Sequence, residues 1–226
     1  MKNKKVIIGL GTGRCGTQSL VGLLNQVPDT HIDHERFPIQ ATWLANTKYF
    51  ERICAYLEQR EENIVGDVSF YNLPYVYLFM ERYKNIKFIG LRRDKEATLQ
   101  SYDRKTTGRN HFSYPNTDHE HRLWDEKYPK FLDRDKYTAM SDYYDLYYGQ
   151  TAYLEKLFPH KVRVFDMEDL NFRQGVQSIF DFLKIKFPHI DEHFINIHRN
   201  VTGETKTGFT PDQSSVFKRM IQKWTR

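Results

Sequence analysis

The segment that decides the fold reads Gly9-Leu10-Gly11-Thr12-Gly13-Arg14-Cys15-Gly16-Thr17-Gln18-Ser19-Leu20. It continues an apolar run that starts at residue 6, whose length and β-branched composition predict a buried strand. It precedes apolar residues that recur at helical spacing through Val27. A strand, a glycine-rich turn and a helix in this order direct several backbone N–H groups and the positive end of the helix at one point. The segment therefore predicts an anion-binding loop inside an α/β fold.

The loop fits more than one kind of ligand. Residues 11–16 satisfy the dinucleotide pattern G-x-G-x-x-G, with Asp33 as a candidate ribose-binding acid. The same residues have Walker A spacing, but Thr17 stands where the phosphate-binding lysine is required, which argues against an ATPase or a kinase. A tight turn without a ligand is the third interpretation, although the glycines, Arg14 and the following hydroxyl and amide groups favour a ligand.

Composition narrows the class of protein. The chain has 226 residues, of which 39% are hydrophobic and 15% aromatic, and this predicts one packed domain over 1–226 rather than a disordered or fibrous protein. A formal net charge of +5 suits an anionic ligand, but without a run of like charges it does not predict nucleic-acid binding. No apolar stretch is long enough for a signal peptide or a membrane span, and the two cysteines cannot form a disulfide framework. We therefore expect a soluble, cytoplasmic protein.

Strand-like and helical patterns alternate along the chain. Strands are predicted at 6–10, 30–33, 63–68, 86–91 and 162–166. Helices are predicted at 20–27, around 43–57, and at 73–83, 95–105, 136–158, 172–183 and 211–224. An irregular, lid-like segment is expected at about 107–135, and a C-terminal loop and helix at about 187–226. The alternation predicts an α/β fold with a central parallel sheet flanked by helices.

A second anion-binding element is predicted at 86–102. The strand there ends in Arg92 and Arg93, and Asp94 is placed to cap the helix that follows. Ser101 lies two helical turns beyond that cap and so on the same face. Arg93 and Ser101 can therefore converge on a second phosphate at the carboxyl edge of the sheet.

These two elements together resemble those of sulfotransferases of bacterial or phage type. Gly13-Arg14-Cys15-Gly16-Thr17 looks like the 5′-phosphosulfate loop of that family, and Arg93 with Ser101, eight positions later, resembles its 3′-phosphate motif. Residues 164–170 are similar to the late strand and acidic turn of the family, so that the resemblance spans about 6–184.

The resemblance implies a nucleotide-binding fold of the P-loop-containing type, together with a donor, an acceptor and a set of binding residues. The donor is 3′-phosphoadenosine 5′-phosphosulfate, no metal is needed, and the acceptor is a hydroxyl or amine of a small molecule or carbohydrate. The residues implied to bind the donor are Gly13, Arg14, Cys15, Gly16, Thr17, Gln18, Arg93 and Ser101, with Arg199 as a weaker candidate for the 3′-phosphate. A Rossmann-type oxidoreductase, which leaves Arg93 and Ser101 unexplained, and a non-catalytic nucleotide-binding module are the alternatives.

Transfer of a sulfuryl group needs a base for the acceptor and positive charge at the leaving oxygen. Glu35 is the first candidate base, because its position resembles that of the catalytic glutamate of related enzymes, and His34 is the second. Arg14 is the candidate for stabilising the leaving group. Many relatives also carry a lysine near the strand at 63–68, and this chain has none there.

Three other features have weaker functional interpretations. Cys15 precedes a helix beside Arg14, so its pKa could be lowered, although small-residue packing is the simpler role. The histidine- and acid-rich segments at 31–34 and 118–121 lack the ligand spacing of a known metal site. The tyrosines of the helix at 136–158 are predicted to lie in the core or to line a groove.

Overall fold

The computed structural model describes residues 4–37, 47–106, 109–113, 129–186 and residue 195. Five strands form one parallel sheet: β1 (Lys5–Leu10), β2 (Thr30–His34), β3 (Ile64–Val68), β4 (Ile86–Arg92) and β5 (Val162–Asp166). Their order across the sheet is β2-β3-β1-β4-β5. The predicted fold class, a parallel sheet flanked by helices, is confirmed.

The sheet has a hydrophobic layer on each face, because neighbouring residues of a strand point to opposite sides. On one face, Ile8 of β1 and Phe88 of β4 are fully buried beneath apolar residues of the helices α2 (Thr47–Gln59), α3 (Val76–Arg82), α4 (Lys95–Lys105) and α5 (Lys136–Leu157). On the other face, Ile7 and Ile89 are fully buried beneath α1 (Thr17–Leu24) and α6 (Arg173–Leu183). The central strands are therefore covered on both sides, as their continuous apolar sequences predict.

The strand order does not match the dinucleotide-binding alternative. In a Rossmann fold the second strand lies beside the first, which brings its terminal acid close to the glycine loop. Here β3 lies between β1 and β2, and Asp33 is paired in register with Asp67 of β3. Asp33 is thus one strand farther from the loop than a ribose-binding acid requires.

The predicted helices are confirmed within the described residues, with corrected boundaries for two of them. α1 begins at Thr17, before the predicted start at residue 20. α1 ends at Leu24, earlier than predicted, because the Asn25 side chain hydrogen-bonds both the N–H and the carbonyl of Ile32, each at 2.8 Å. The helix predicted at 73–83 begins as a 3₁₀ segment, Phe70–Tyr75, which contains Pro74 and becomes α-helical only at Val76. The cap at Asp94 is confirmed by its 2.8 Å hydrogen bond from the Ala97 N–H.

Parts of the predicted architecture lie outside the described residues. These are the helix at 211–224, the segment at 187–210 apart from Ile195, and most of the segment at 107–135. Where that last segment is described, Phe112 is buried and its carbonyl accepts from the Phe131 N–H at 2.8 Å. Among the helices of the described ranges, none has both the length and the apolar character needed to cross a membrane.

Candidate functional site

The site lies at the carboxyl edge of the sheet, where all five parallel strands end. The glycine loop, residues 11–16, follows β1 and leads directly into α1. The turn at 35–37 follows β2, Arg93 follows β4, and Met167 follows β5. Crevices beyond the carboxyl ends of the strands are where open parallel sheets bind ligands.

Three residues of the glycine loop have a left-handed backbone conformation. The φ angles are 88° at Gly13, 59° at Arg14 and 87° at Gly16. A positive φ is costly for Arg14, which has a Cβ, and such strain is found mainly at functional sites. Gly16 precedes α1 and has no side chain to accept from the N–H groups of its first turn. The loop and the helix start therefore have the geometry of an anion-binding nest.

The two predicted anion-binding elements meet at Arg14. The Nε of Arg14 donates to the Oγ of Ser101 at 3.0 Å, and a guanidinium N–H of Arg93 donates to the Arg14 carbonyl at 3.2 Å. Burial is the main cause that lowers the pKa of Arg14, and the charges of Arg93 and Arg104 lower it further. Three guanidinium groups thus share one region of the site. The sequence analysis missed Arg104, although its position three residues after Ser101 places both on one helix face.

Three tyrosines of α5 form hydrogen bonds with the backbone of the glycine loop and of the second anion-binding element. The hydroxyl of Tyr144 donates to the Arg93 carbonyl and that of Tyr148 to the Leu91 carbonyl, each at 2.6 Å. The hydroxyl of Tyr147 accepts from the Gly11 N–H at 2.8 Å and donates to the Phe70 carbonyl at 3.0 Å. We call Tyr144, Tyr147 and Tyr148 the tyrosine row. The sequence predicted that these tyrosines lie in the core or line a groove, but not these hydrogen bonds, which depend on the loops that the helix meets.

Both candidate bases interact with residues next to the loop. The Nε2 of His34 and the hydroxyl of Thr17, at the start of α1, share a hydrogen bond of 3.0 Å. Burial lowers the pKa of His34, so its imidazole is neutral at pH 7, although the charge of Asp67 opposes this shift. Burial is also the main cause that raises the pKa of Tyr102, and Glu35 adds to this shift. Since the Tyr102 hydroxyl donates to the Thr12 carbonyl of the loop, Glu35 lies within electrostatic reach of the loop.

Glu35 occupies a sharp backbone turn at the end of β2. Its φ is 50°, in the left-handed region, and its N–H donates to the Val68 carbonyl at 3.2 Å. The next N–H, that of Arg36, donates to the Oδ1 of Asp67 at 3.0 Å. The guanidinium of Arg36 lies over the Tyr56 ring, with 4.8 Å between the Cζ and the ring centroid.

Cys15 is a packing residue. Its side chain is fully buried, and burial raises the pKa of its thiol. The expectation of a lowered pKa at this helix start is therefore wrong, because desolvation outweighs the hydrogen bonds to the sulfur. Cys54 is also a buried free thiol.

The weaker candidates are of two kinds: some lie outside the described residues, and the others contact one another. Arg199 and the segment at 118–121 lie outside the described residues. His31 and Asp33 contact each other at 3.1 Å, and the Tyr56 hydroxyl donates to the same carboxylate at 2.6 Å. Among the described residues, no group of three His, Cys, Asp or Glu side chains is arranged to hold a metal ion.

Comparison with solved structures places this fold among those of sulfotransferases. A sulfotransferase from Alicyclobacillus acidocaldarius aligns over 99% of this chain and 93% of its own, with a TM-score of 0.51 and 16% sequence identity. Mouse sulfotransferase SULT7A1, solved in complex with PAP, aligns over 100% of this chain and 85% of its own, with a TM-score of 0.51 and 13% identity. No protein-family profile and no curated protein sequence matches the chain. The resemblance to sulfotransferases is thus confirmed for the fold.

Proposed function

We propose that this protein is a sulfotransferase that uses 3′-phosphoadenosine 5′-phosphosulfate as its donor. The observation that carries the proposal is the hydrogen bond between Arg14 and Ser101. It joins a loop suited to a 5′-phosphosulfate to the helix that carries a candidate 3′-phosphate site. Two anionic groups at opposite sides of one nucleoside are the ligand that such a pair of elements fits. The mouse sulfotransferase of similar fold was solved with PAP, which supports this class of ligand.

The residues of the loop suit the departure of the nucleotide. An acceptor oxygen attacks sulfur in line, the new O–S bond forms, and the bond between sulfur and the bridging oxygen of the 5′-phosphate breaks. Negative charge develops on that bridging oxygen, where the Arg14 guanidinium and the loop N–H groups stabilise it. These groups also take the role of the lysine that this chain lacks near β3. Ser69, which follows β3, does not take that role, because its hydroxyl donates to Asp67.

The acceptor proton passes to Glu35 in this proposal. Glu35 follows β2 at a turn where its φ is 50°, and its charge reaches Tyr102, whose hydroxyl contacts the loop. The imidazole nitrogen of His34 is hydrogen-bonded to Thr17. We assign His34 to holding the Thr17 hydroxyl at the phosphosulfate, and it is the second candidate base. The acceptor is a hydroxyl or amine of a small molecule or carbohydrate.

Donor turnover tests the proposal. The purified protein is incubated with donor carrying a ³⁵S-labelled sulfuryl group and with fractionated acceptor extracts, and both label transfer and nucleotide release are followed. Transfer that depends on the extract, and that is lost in Arg14→Ala, supports the proposal. Tight binding of the desulfonated nucleotide without transfer to any fraction would favour the non-catalytic binding module instead.

A further inference from the structure

The carboxylate of Asp67 is a buried group for which the proposed reaction has no direct use. Its side chain has 0% exposure, at the end of β3, and so cannot touch a substrate. Its Oδ1 accepts from the Arg36 N–H at 3.0 Å. Its Oδ2 accepts from the Nδ2 of Asn72 at 2.9 Å and from the Ser69 hydroxyl. Burying a carboxylate is costly, and this one is retained with three donors aimed at it.

We propose that Asp67 is a positioning residue, whose carboxylate holds the turn that directs Glu35 into the site. β2 and β3 are paired in register through His34 and Val68. The Glu35 N–H continues that pairing to the Val68 carbonyl, but the next donor, the Arg36 N–H, is taken by the Asp67 side chain. The carboxylate thus ties β3 to the backbone directly after Glu35. It secures the residue that follows the left-handed φ of 50°, a conformation that the chain does not adopt without support.

Only an ionised carboxylate satisfies all three donors. An asparagine at 67 could accept from the Arg36 N–H with its oxygen, but its own NH₂ group would then face the NH₂ group of Asn72. A protonated Asp67 loses one acceptor position in the same way. Ser69 and Asn72 belong to the same segment as residue 67 and stay close to it. An uncharged side chain at 67 should therefore turn its remaining acceptor oxygen toward them, which loosens the Arg36 contact first.

The surroundings of Asp67 set the pH at which that charge is lost. Burial raises the pKa of Asp67 to about 6, the bonds from Ser69, Arg36 and Asn72 oppose the shift, and the charge of Asp33 adds to it. His34 faces Asp67 from β2 and Tyr49 faces it from α2, while β1 contributes only the apolar Ile8 in register. Asp67 is thus ionised above neutral pH, and the turn at Glu35 should be held best there.

The test compares Asp67→Asn with Asp33→Asn, a matched control on the neighbouring strand whose carboxylate contacts His31 and Tyr56 rather than Arg36. Amide hydrogen exchange at Arg36, the affinity for adenosine 3′,5′-bisphosphate and the kcat for transfer are measured across pH 5–8. For Asp67→Asn we expect exchange at Arg36 to be about tenfold faster or more at pH 7.5, from the loss of a charge-assisted bond. We expect kcat to fall by about 10- to 100-fold, part of the usual worth of a positioned base. In the wild type, kcat should fall as the pH drops below about 6, where Asp67 loses its charge, and this acidic limb should disappear in Asp67→Asn. Nucleotide affinity should stay within about threefold. Asp33→Asn should leave exchange at Arg36, nucleotide affinity and kcat at pH 7.5 unchanged, and its acidic limb should move to lower pH, because the substitution removes a charge that raises the pKa of Asp67.

Unchanged exchange at Arg36, an unchanged acidic limb, or a parallel loss of nucleotide affinity and melting temperature would each overturn the proposal. If Asp67→Asn does not fold, Ser69→Ala replaces it. Removing that donor raises the pKa of Asp67, so the acidic limb should move to higher pH, and a limb that does not move counts against Asp67. The proposal rests on the proposed function. If the wild-type protein transfers no sulfuryl group, that function fails, and exchange at Arg36 alone decides whether Asp67 holds the turn.

Discussion

The Nε of Arg14 donates to the Oγ of Ser101 at 3.0 Å, which joins residues 87 positions apart in the chain. The Arg14 carbonyl is held at the same time by the guanidinium of Arg93. The arginine of the glycine loop is therefore fixed at both its side chain and its backbone by the second anion-binding element. Because of this coupling, we expect each of the two elements to affect how the other binds the nucleotide.

Arg93→Ala should remove the preference for a 3′-phosphate. The variant loses a charge-assisted contact worth about 1.5–3 kcal/mol, so affinity for adenosine 3′,5′-bisphosphate should fall roughly 10- to 100-fold. Affinity for adenosine 5′-phosphate should fall less, because that ligand loses only the support that Arg93 gives to the Arg14 carbonyl. Calorimetric titration of both nucleotides measures this difference. Arg92→Ala is the control, because Arg92 is the exposed neighbour and its guanidinium is paired with Asp166 at 2.9 Å. A variant that still prefers the 3′-phosphorylated nucleotide as strongly as the wild type does would show that Arg93 is misassigned.

Glu35→Gln should lower kcat by about 10² to 10⁴ with little change in donor affinity, because a general base acts only in the chemical step. The substitution keeps the size of the side chain and removes its ability to accept a proton. Single-turnover kinetics with saturating donor isolate that step. His34→Ala, made in parallel, should weaken donor binding as well, since it releases the Thr17 hydroxyl. An active Glu35→Gln enzyme beside an inactive His34→Ala enzyme would transfer the role of base to His34.

Tyr144→Phe tests the tyrosine row. The change keeps the ring and removes only the hydroxyl that donates to the Arg93 carbonyl. A net hydrogen bond contributes about 0.5–1.5 kcal/mol, so nucleotide affinity should fall by about two- to tenfold, with the larger loss for 3′-phosphorylated ligands. Tyr153→Phe is the control on the same helix, because that side chain is 60% exposed. Equal effects of the two variants would mean that the hydroxyl of Tyr144 does not position Arg93.

Asp67→Asn should also change how stability depends on pH. The pKa of Asp67 in the folded protein is about 6, above its ordinary value of 3.8. A carboxyl group whose pKa is raised on folding contributes stability below the unfolded pKa and loses that contribution as pH rises through the folded pKa. The free energy of unfolding of the wild type, relative to the variant, should therefore decrease between about pH 4 and pH 7. Urea denaturation of both proteins at pH 4.5, 6 and 7.5 measures the trend, and a difference that is constant with pH would contradict it.

The local pattern was enough to predict the sheet and its flanking helices. β1, the glycine loop and α1 follow from a short apolar run, clustered glycines and helical spacing, all of which are properties of neighbouring residues. The position that β2 takes in the strand order is not determined by neighbouring residues. The placement of β3 between β1 and β2 separates the Rossmann alternative from the observed fold, and no local pattern encodes it.

The candidate site was predictable to a similar degree. Short motifs indicated Arg14, Arg93 and Ser101, which the structure brings into contact. Glu35 and His34 were proposed as bases from the resemblance to sulfotransferases, and these roles stay predictions. Asp67 and the tyrosine row could not be assigned, since their roles come from contacts with residues distant in the chain. Cys15 packs in the interior, as its small size suggested, and its burial raises the pKa of the thiol despite the helix start.

The melting temperature with bound nucleotide tests the central claim, a site for a 3′,5′-bisphosphorylated adenosine, most directly. A ligand at a hundred times its Kd stabilises the folded state by about 2.7 kcal/mol, which for a chain of this size raises the melting temperature by roughly 5–10 °C. We predict a shift of this size with adenosine 3′,5′-bisphosphate and much smaller shifts with NAD and ATP at the same concentration. A larger shift with NAD or ATP than with the bisphosphate would contradict the assignment of the site.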